Sequence, residues 1–547
     1  MRLPADAYGE TIAAAGAAGI TVYDTARAYG DGERLLARAL RSSGADERAR
    51  IVTKGGMSRA GGGWIPDSRA KTILADCEAS LVALDGLPID LYLIHAPDPR
   101  TPWRTSVRAL ARLLDEGIVR HAGVANVNRL QLDEALGLVP LTAVEVALSF
   151  RDDRAVRGGI VERCVEAGLA VIAHSPLGGP RGVGRLSRDE ALGTVAETHG
   201  TTPAEVALAW LLELSPAIVA IPGARRPETA RSAARAATLR LDAADLDVLR
   251  RPLGTRPVSR AGSGEVVVVM GIPGAGKSRI AEGYAARGFR RLNRDERGGS
   301  LRRLAEALDE ELSVGARRVV LDNTYLTRAD RSYVIEAAGR HGVAARCVWL
   351  DTPLVQAQLN LVERLLDRFG ELPTPEQLRE AARKEPGLLL PTSQMRTLRE
   401  LETPSTDEGF AAVERVPFVR ARPSVAEKGA VFVAAAALQE PGWRRAIAES
   451  DRLAPHLVFD WLPDDNADAL EGAVALLAAE VSGPVEGAVC PHGAGPPGCW
   501  CRPPLPGLPL AFARRHGVAP SRSILIGSTP AHRTLAATLG ARYESPQ

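Results

Sequence analysis

Three successive α/β units in one chain are what this sequence predicts, and three observations carry that expectation. The chain has 547 residues, well past the roughly 250–300 at which a single hydrophobic core stops growing. Up to residue 250, short β-branched runs alternate with helical stretches rich in Ala, Leu and Arg, the rhythm of repeated βα units around a parallel sheet or barrel. Breaks rich in Pro, Gly and charged residues at 251–264 and 422–429 interrupt that rhythm, and each is followed by a new apolar run. The expected divisions are 1–250, a linker at 251–264, a second domain at 265–422 and a third at 428–547.

Composition narrows the function classes. Hydrophobic residues at 45% and charged residues at 24% match an ordinary globular chain. Net charge is only +2, so binding to nucleic acid would have to use a local basic patch. No apolar run reaches the roughly 18 residues of a membrane span. The start lacks a basic-then-apolar signal pattern, and a cytoplasmic protein without a membrane partner is expected. Of six cysteines, Cys77, Cys164 and Cys347 stand apart and are expected to be reduced core thiols. Cys490, Cys499 and Cys501 fall within twelve residues beside His492, a spacing that in a cytosolic chain favours metal over disulfides.

In the first domain the runs at 20–23, 51–53, 91–94, 143–146, 170–173 and 218–221 are candidate strands. Asp24 and Tyr29 follow the first of these, Lys54 ends the second and His95 ends the third. Polar residues at the C-terminal ends of barrel strands converge on one mouth. The order Asp24, Tyr29, Lys54, His95 resembles the catalytic tetrad of the aldo-keto reductases, which implies a (β/α)8 TIM barrel, NADP(H) and a small carbonyl substrate. By that resemblance Tyr29 gives a proton to the carbonyl, Lys54 held by Asp24 lowers the tyrosine pKa, and His95 orients the substrate oxygen. Asn126 matches the family's contact to the nicotinamide amide. His174, followed by Ser175, stands where an aromatic residue usually stacks, Glu145 where glutamine is common, and Ala233 where asparagine often meets adenine. Arg225 or Arg226 is expected to favour a 2′-phosphate. The chain opens at Met1 about where that family's first barrel strand ends, so either that strand is lost or the true start lies upstream.

The second domain opens on Glu265–Met270, followed at once by Gly271-Ile-Pro-Gly-Ala-Gly-Lys-Ser278 and a helical stretch. A strand, this loop and a helix are the context in which G-x-x-x-x-G-K-[ST] cradles phosphate. Gly271, Gly274 and Gly276 let backbone N–H groups approach the phosphates of ATP, Lys277 reaches the β- and γ-phosphates, and Ser278 ligates Mg2+. Asp322 ends the next strand, where a Mg2+ contact or a turn are both open readings. Asp295 offers a carboxylate for the proton of an attacking hydroxyl. The loop, Asn293-Arg294-Asp295, Asp322-Asn323-Thr324, Asn360, Arg364 and the tail Gln394-Met395-Arg396 resemble the kinase domain of polynucleotide 5′-kinase/3′-phosphatases. That resemblance implies a P-loop NTPase α/β parallel sheet, Asp295 as general base for a 5′-hydroxyl of RNA or DNA, and Arg364 as the lid arginine on the moving phosphoryl group. Related P-loop kinases use the same apparatus on small molecules.

In the third domain Cys490, His492, Cys499 and Cys501 supply a complete tetrahedral set for structural Zn2+. The following Cys501-Arg-Pro-Pro-Leu-Pro-Gly507 resembles the zinc-loop segment of haloacid-dehalogenase-like histidinol and heptose-bisphosphate phosphatases, which implies a Rossmannoid domain. Departures from that family are extensive. The first strand ends in alanines instead of Asp-x-Asp, Pro503 replaces a lysine, and Ser528 and His532 stand where Mg2+ carboxylates belong. Asp460 is a stray carboxylate on another strand, and a catalytically inactive phosphatase fold is expected. The whole chain is thus expected to be an ATP-dependent kinase of nucleic-acid 5′-hydroxyl ends fused to an aldo-keto-reductase-like domain. The rival expectations are an NADPH-dependent carbonyl oxidoreductase with a regulatory or small-molecule kinase, and a scaffold whose outer domains only bind.

Overall fold

The computed structural model describes residues 5–60, 63–179, 182–249, 264–385, 387–418, 428–463, 467–493 and 498–546. The chain divides into two compact units, Met1–Thr255 and Arg256–Gln547. The expected linker at 251–264 lies outside the described residues apart from Gly264, and so does most of the expected break at 422–429.

The strands of the first unit are β1 (Val22–Asp24), β2 (Arg50–Gly55), β3 (Met57–Ala60), β4 (Gly63–Pro66), β5 (Leu91–Ile94), β6 (His121–Ala125), β7 (Leu141–Ala147), β8 (Ala170–His174) and β9 (Ile218–Ile221). β3 and β4 pair as an antiparallel hairpin. The other seven form one parallel sheet in the order β1-β2-β5-β6-β7-β8-β9. Spatial order follows chain order, as right-handed βα crossovers require. Val52, Leu91, Leu93, Ala125, Ala143 and Ile172 pack together as one small cluster, and the opposite strand faces pack on the surrounding helices.

The expected eight-stranded barrel is corrected here to seven strands that nearly close. Among the described residues the chain ahead of β1 is helical (Ala5–Ala17), and it leads into β1 through residues 18–21 without forming another strand. Among the described residues β1 and β9 are therefore the two edges of the sheet. A cavity of about 620 Å³ is lined by residues of both edges, among them Val22, Asp24, Val219 and Ile221.

The second unit holds two parallel five-stranded sheets. The first is built from β10 (Glu265–Met270), β11 (Arg290–Asn293), β12 (Arg318–Asp322), β13 (Ala344–Asp351) and β14 (Ala412–Pro417), in the order β11-β12-β10-β13-β14. Val266 to Met270 are wholly buried, as a central parallel strand covered on both faces must be. The other sheet is built from β15 (Val431–Ala434), β16 (His456–Trp461), β17 (Val485–Cys490), β18 (Ile524–Ile526) and β19 (Arg542–Glu544), in the order β17-β16-β15-β18-β19. The helix Leu354–Phe369 serves both sheets. Its Ala357 packs with Val267 and Val269 of β10, while Val362, Leu365 and Leu366 share a core with Phe432, Phe512 and Leu535. Among the described residues no helix is long and apolar enough to cross a membrane.

One buried ion pair ties the helix Arg328–Arg340, which follows β12, to the segment before β14. Arg331 is completely buried, and its Nε and Nη2 each donate to a Glu408 carboxylate oxygen at 2.7 Å. Its Nη1 donates to the carbonyls of Tyr325, Leu326 and Glu402 at 3.0–3.1 Å. Removing one member leaves an uncompensated charge in the interior, which costs about 3–5 kcal/mol. Glu408→Ala is therefore expected to destabilise the second unit by about that amount in urea unfolding. A loss well under 1 kcal/mol would show that solvent reaches the guanidinium.

Candidate functional site

In the first unit the site is organised around a lysine that cannot reach water. Lys54, in β2, is fully buried. Its Nζ donates to the carboxylate of Asp24 and to the carbonyl of Thr25 (3.2 Å), and lies 3.0 Å from Glu145 Oε2. Burial alone would drive the ammonium to lose its proton. The Asp24 and Glu145 charges outweigh that and push its pKa above the ordinary lysine value. Burial raises both carboxyls, and Glu145 is raised further by the charge of Asp24. Sequence reasoning placed Glu145 among the cofactor contacts, whereas the structure directs it at Lys54.

Tyr29 lies at the barrel mouth with 42% of its surface exposed, and Lys54 Nζ is 5.7 Å from its ring centre. Desolvation on its packed side raises the phenol. Lys54 pulls it down, and Asp24 and Glu145 push it up. The net shift is upward, so the lysine moderates the tyrosine without making it acidic. The His95 ring is 5.8 Å from that of Tyr29. Burial, then the nearby Lys54 charge, lowers its pKa to about 4, so the imidazole is neutral near pH 7. The structure therefore brings Asp24, Tyr29, Lys54 and His95 to one place.

A polar chain extends from them. Asn126 Nδ2 donates to the carbonyl of His95 at 3.0 Å, and its Oδ1 meets His174 Nε2 at 3.0 Å. His174 Nδ1 is 3.2 Å from Ser175 Oγ. Asn126 and Ser175 adopt left-handed backbone (φ 55° and 53°), a cost usually met where function needs a particular side-chain direction. Arg225 and Arg226 follow β9, exposed, with both backbone N–H groups donating to Thr229 Oγ1. Trp64 was missed by sequence reasoning. It lies on the β3–β4 hairpin, half exposed, 5.8 Å from the Tyr29 ring and 6.0 Å from His95, with the Arg59 guanidinium 4.4 Å from its ring. The glycine triplet before it, at 61–63, was the available hairpin signal.

In the second unit Gly271–Ser278 links β10 to the helix Lys277–Ala285. Gly276 caps that helix at φ 90°. Gly274 passes so close to the helix Leu354–Phe369 that a Cβ would stand 2.4 Å from the Ala357 carbonyl, so both positions require glycine. Asn360 Nδ2 and Gln394 Nε2 hold the loop by donating to the carbonyls of Gly274 (2.8 Å) and Pro273 (3.3 Å). Lys277 Nζ donates to the carbonyls of Gly271 and Ile272 at 3.0 Å each. Its pKa falls to about 8, mainly through burial, with Asp322 and Asp295 opposing the fall and Arg364 and Arg294 adding to it. The charges of all four act on this one ammonium. Ser278 is the second residue of the helix.

Asp322 is buried and accepts from Arg291 Nη2 (2.7 Å) and Asn293 Nδ2 (3.0 Å). Arg291 was also missed, because nothing in its own stretch of sequence points to a partner 31 residues away. Asn293 Oδ1 in turn accepts from the Asp295 N–H at 2.7 Å. Asp295 is the second residue of a short helix, Arg294–Arg297, with 42% of its side chain exposed. Arg364 Nη1 donates to the carbonyl of Gly387 at 3.0 Å.

At the C-terminal ends of the last sheet, the donor atoms of Cys490, His492, Cys499 and Cys501 all lie within 4.8 Å of one another. Cys490 Sγ is 3.6 Å from Cys499 Sγ and 3.4 Å from His492 Nδ1. Three sulfurs and a nitrogen at such spacings fit one tetrahedral zinc ion. β15 ends at Ala434 and runs into the short helical turn Ala435–Gln439. Asp460 accepts from the Ala436 N–H at 3.0 Å, and buried His532 accepts from the Ser528 N–H at 3.3 Å.

Comparison with known proteins separates the two units. The aldo/keto reductase family model matches residues 2–251, and an AAA domain model matches residues 266–385. Aldo-keto reductase str7 of Strobilurus tenacellus is 29% identical over 267 residues, covering 44% of this chain and 78% of its own length. Probable aldo-keto reductase 1 of Glycine max is 31% identical over 237 residues, 38% of this chain and 67% of its own. Among solved structures, the thermostable aldo-keto reductase Tm1743 is 31% identical, covers 44% of this chain and 85% of its own, and has a TM-score of 0.39. The middle region is of the P-loop AAA type, and through its N-terminal barrel the chain belongs to the aldo/keto reductase family.

Proposed function

We propose that the P-loop region is an ATP-dependent kinase that phosphorylates a 5′-hydroxyl end of RNA or DNA. The observation that carries this reading is the glycine loop Gly271–Ser278, held at Gly274 by Asn360 one helical turn from Arg364, together with the Asp322–Asn293–Asp295 hydrogen-bond chain at the ends of the neighbouring strands. Lys277 is satisfied by two carbonyls of its own loop, so its donors can turn to the β- and γ-phosphates without leaving the site. Ser278 would hold Mg2+, which would draw charge from the phosphate oxygens. Asp295 accepts the proton of the acceptor hydroxyl as its oxygen bonds to the γ-phosphorus. The bond from that phosphorus to the β–γ bridging oxygen breaks, and ADP leaves. Arg364 balances charge on the moving group.

Incubation with γ-labelled ATP, Mg2+ and 5′-hydroxyl RNA, DNA or nucleosides tests the reading. Lys277→Ala is expected to abolish transfer, and Asp295→Asn to retain ATP binding while slowing transfer by about 10²–10⁴. Full turnover by Asp295→Asn would remove that residue from the base role. Label appearing only on nucleosides would move the acceptor class to small molecules.

A second reading is favoured by the groups around Lys54: the barrel is an NADP(H)-dependent reductase of small carbonyl compounds. Asn126, His174 and Ser175 would hold the nicotinamide end, and Arg225 or Arg226 a 2′-phosphate. The bound cofactor would supply hydride. Tyr29 gives the carbonyl oxygen its proton, and neutral His95 orients that oxygen. Because Tyr29 must be protonated, reduction declines as pH rises through the phenol pKa. Glu145, ionised by then, raises that pKa. Glu145→Gln is therefore expected to move the alkaline limb of kcat/KM to lower pH, by up to about one unit. An unmoved limb would mean that Glu145 does not act on the tyrosine.

For residues 428–547 the reading is a haloacid-dehalogenase-like fold that holds Zn2+ through Cys490, His492, Cys499 and Cys501 and has no phosphatase activity. Alanines follow β15 and Pro503 stands on the loop, so nucleophile and phosphate-steadying lysine are both missing. Metal analysis of the full chain is expected to give one zinc, lost in Cys499→Ser together with stability of the second unit. A zinc-free chain of unchanged thermal stability would refute the site.

A further inference from the structure

Trp500 stands between two of the cysteines of this cluster, 2% exposed. Its backbone is fixed on one side by Gly507, whose N–H donates to the Trp500 carbonyl at 3.2 Å. A Cβ at that glycine would lie 2.4 Å from the same oxygen. On the other side the indole Nε1–H donates to the carbonyl of Leu389 at 2.8 Å, across 111 residues of sequence. The ring shares one apolar core with Leu388, Leu365 and Leu366. Two residues before Leu389, the Gly387 carbonyl accepts the Arg364 Nη1 bond. Arg514, on the helix Gly507–His516, adds a second tie to the helix Leu354–Phe369, meeting Asp367 at 2.6 Å.

We propose that Trp500 is a positioning residue for Arg364: the Cys/His loop fixes the indole, the indole fixes residues 387–390, and Gly387 fixes the guanidinium beside the phosphate-binding loop. This rests on the kinase reading for its consequence in catalysis. A buried indole needs a partner for its N–H in any case, so packing alone would account for the bond. What packing alone does not require is that the accepting segment also hold an arginine one helical turn from Asn360, which bonds the Gly274 carbonyl of the phosphate-binding loop. Displacing a charge-balancing group by about 1 Å can cost up to about 100-fold in rate.

Trp500→Phe separates the two, since it keeps an aromatic ring in the core and removes only the N–H. In the full chain, hydrogen–deuterium exchange at residues 387–390 and 360–366 is expected to rise in Trp500→Phe with little change in melting temperature. Stripping metal from the wild-type chain with 1,10-phenanthroline is expected to raise exchange in the same segments. Phosphoryl transfer is expected to lose about 5- to 20-fold in kcat while KM for ATP stays within about twofold, the split expected of a displaced transition-state contact. Wild-type exchange at 387–390 in Trp500→Phe overturns the proposal, as does wild-type kcat in an active preparation. Raised exchange in a chain that phosphorylates no acceptor supports the mechanical link and sinks the kinase reading instead.

Discussion

Parallel pairing is the constraint on which every site in this protein depends. A parallel strand must be followed by a crossover, so all the βα turns of one sheet open on the same edge. Asp24 and Lys54 are carried to that edge by β1 and β2, and His95 and Asn126 stand just past β5 and β6. Ser175 and Arg225 follow β8 and β9. The rule repeats in the second unit, where Gly271 follows β10, Asn293 ends β11 and Asp322 ends β12. It repeats again where Cys490 ends β17 and Ser528 follows β18. Residues scattered along the chain meet because the sheets leave their turns nowhere else to go.

Within that frame, the two buried lysines show how partners decide what burial does. Lys54 faces two carboxylates and is held charged against the cost of desolvation. Lys277 faces two neutral carbonyls, and its pKa drops to about 8. The first is a fixed charge that tunes Tyr29. The second is a donor whose protonated form gains most when anionic oxygen arrives beside it. Two acids on one lysine also have an electrostatic consequence. Asp24 raises the Glu145 carboxyl while Glu145 lowers that of Asp24, so a proton taken up by the pair goes to Glu145.

What the sequence made legible were features whose chemistry lies within a few residues. Gly271–Ser278 was legible because the strand, the glycines and the helix are contiguous. The cysteine cluster was legible because its four donors span twelve residues. The tetrad was legible from its order along the strands, and the structure brings its four residues together. Pairings across strands were not legible. Glu145 reaches Lys54 from β7, Arg291 reaches Asp322 from the neighbouring edge strand, and Arg331 reaches Glu408 across 77 residues.

The last sheet bears on the phosphate-binding loop through a shared helix. β15 runs into the alanine turn Ala435–Gln439, with no carboxylate from Val431 to Gln439. The core of that sheet is another matter. Val362, Leu365 and Leu366 come from the helix that also supports the phosphate-binding loop through Asn360. Removing the last sheet would expose those side chains, each worth about 1.5–3 kcal/mol when buried, and would free the carbonyl segment that holds Arg364. A sheet can matter to a neighbouring site without chemistry of its own when it packs on the helix that supports that site. In this chain the helix Leu354–Phe369 is where that dependence is concentrated.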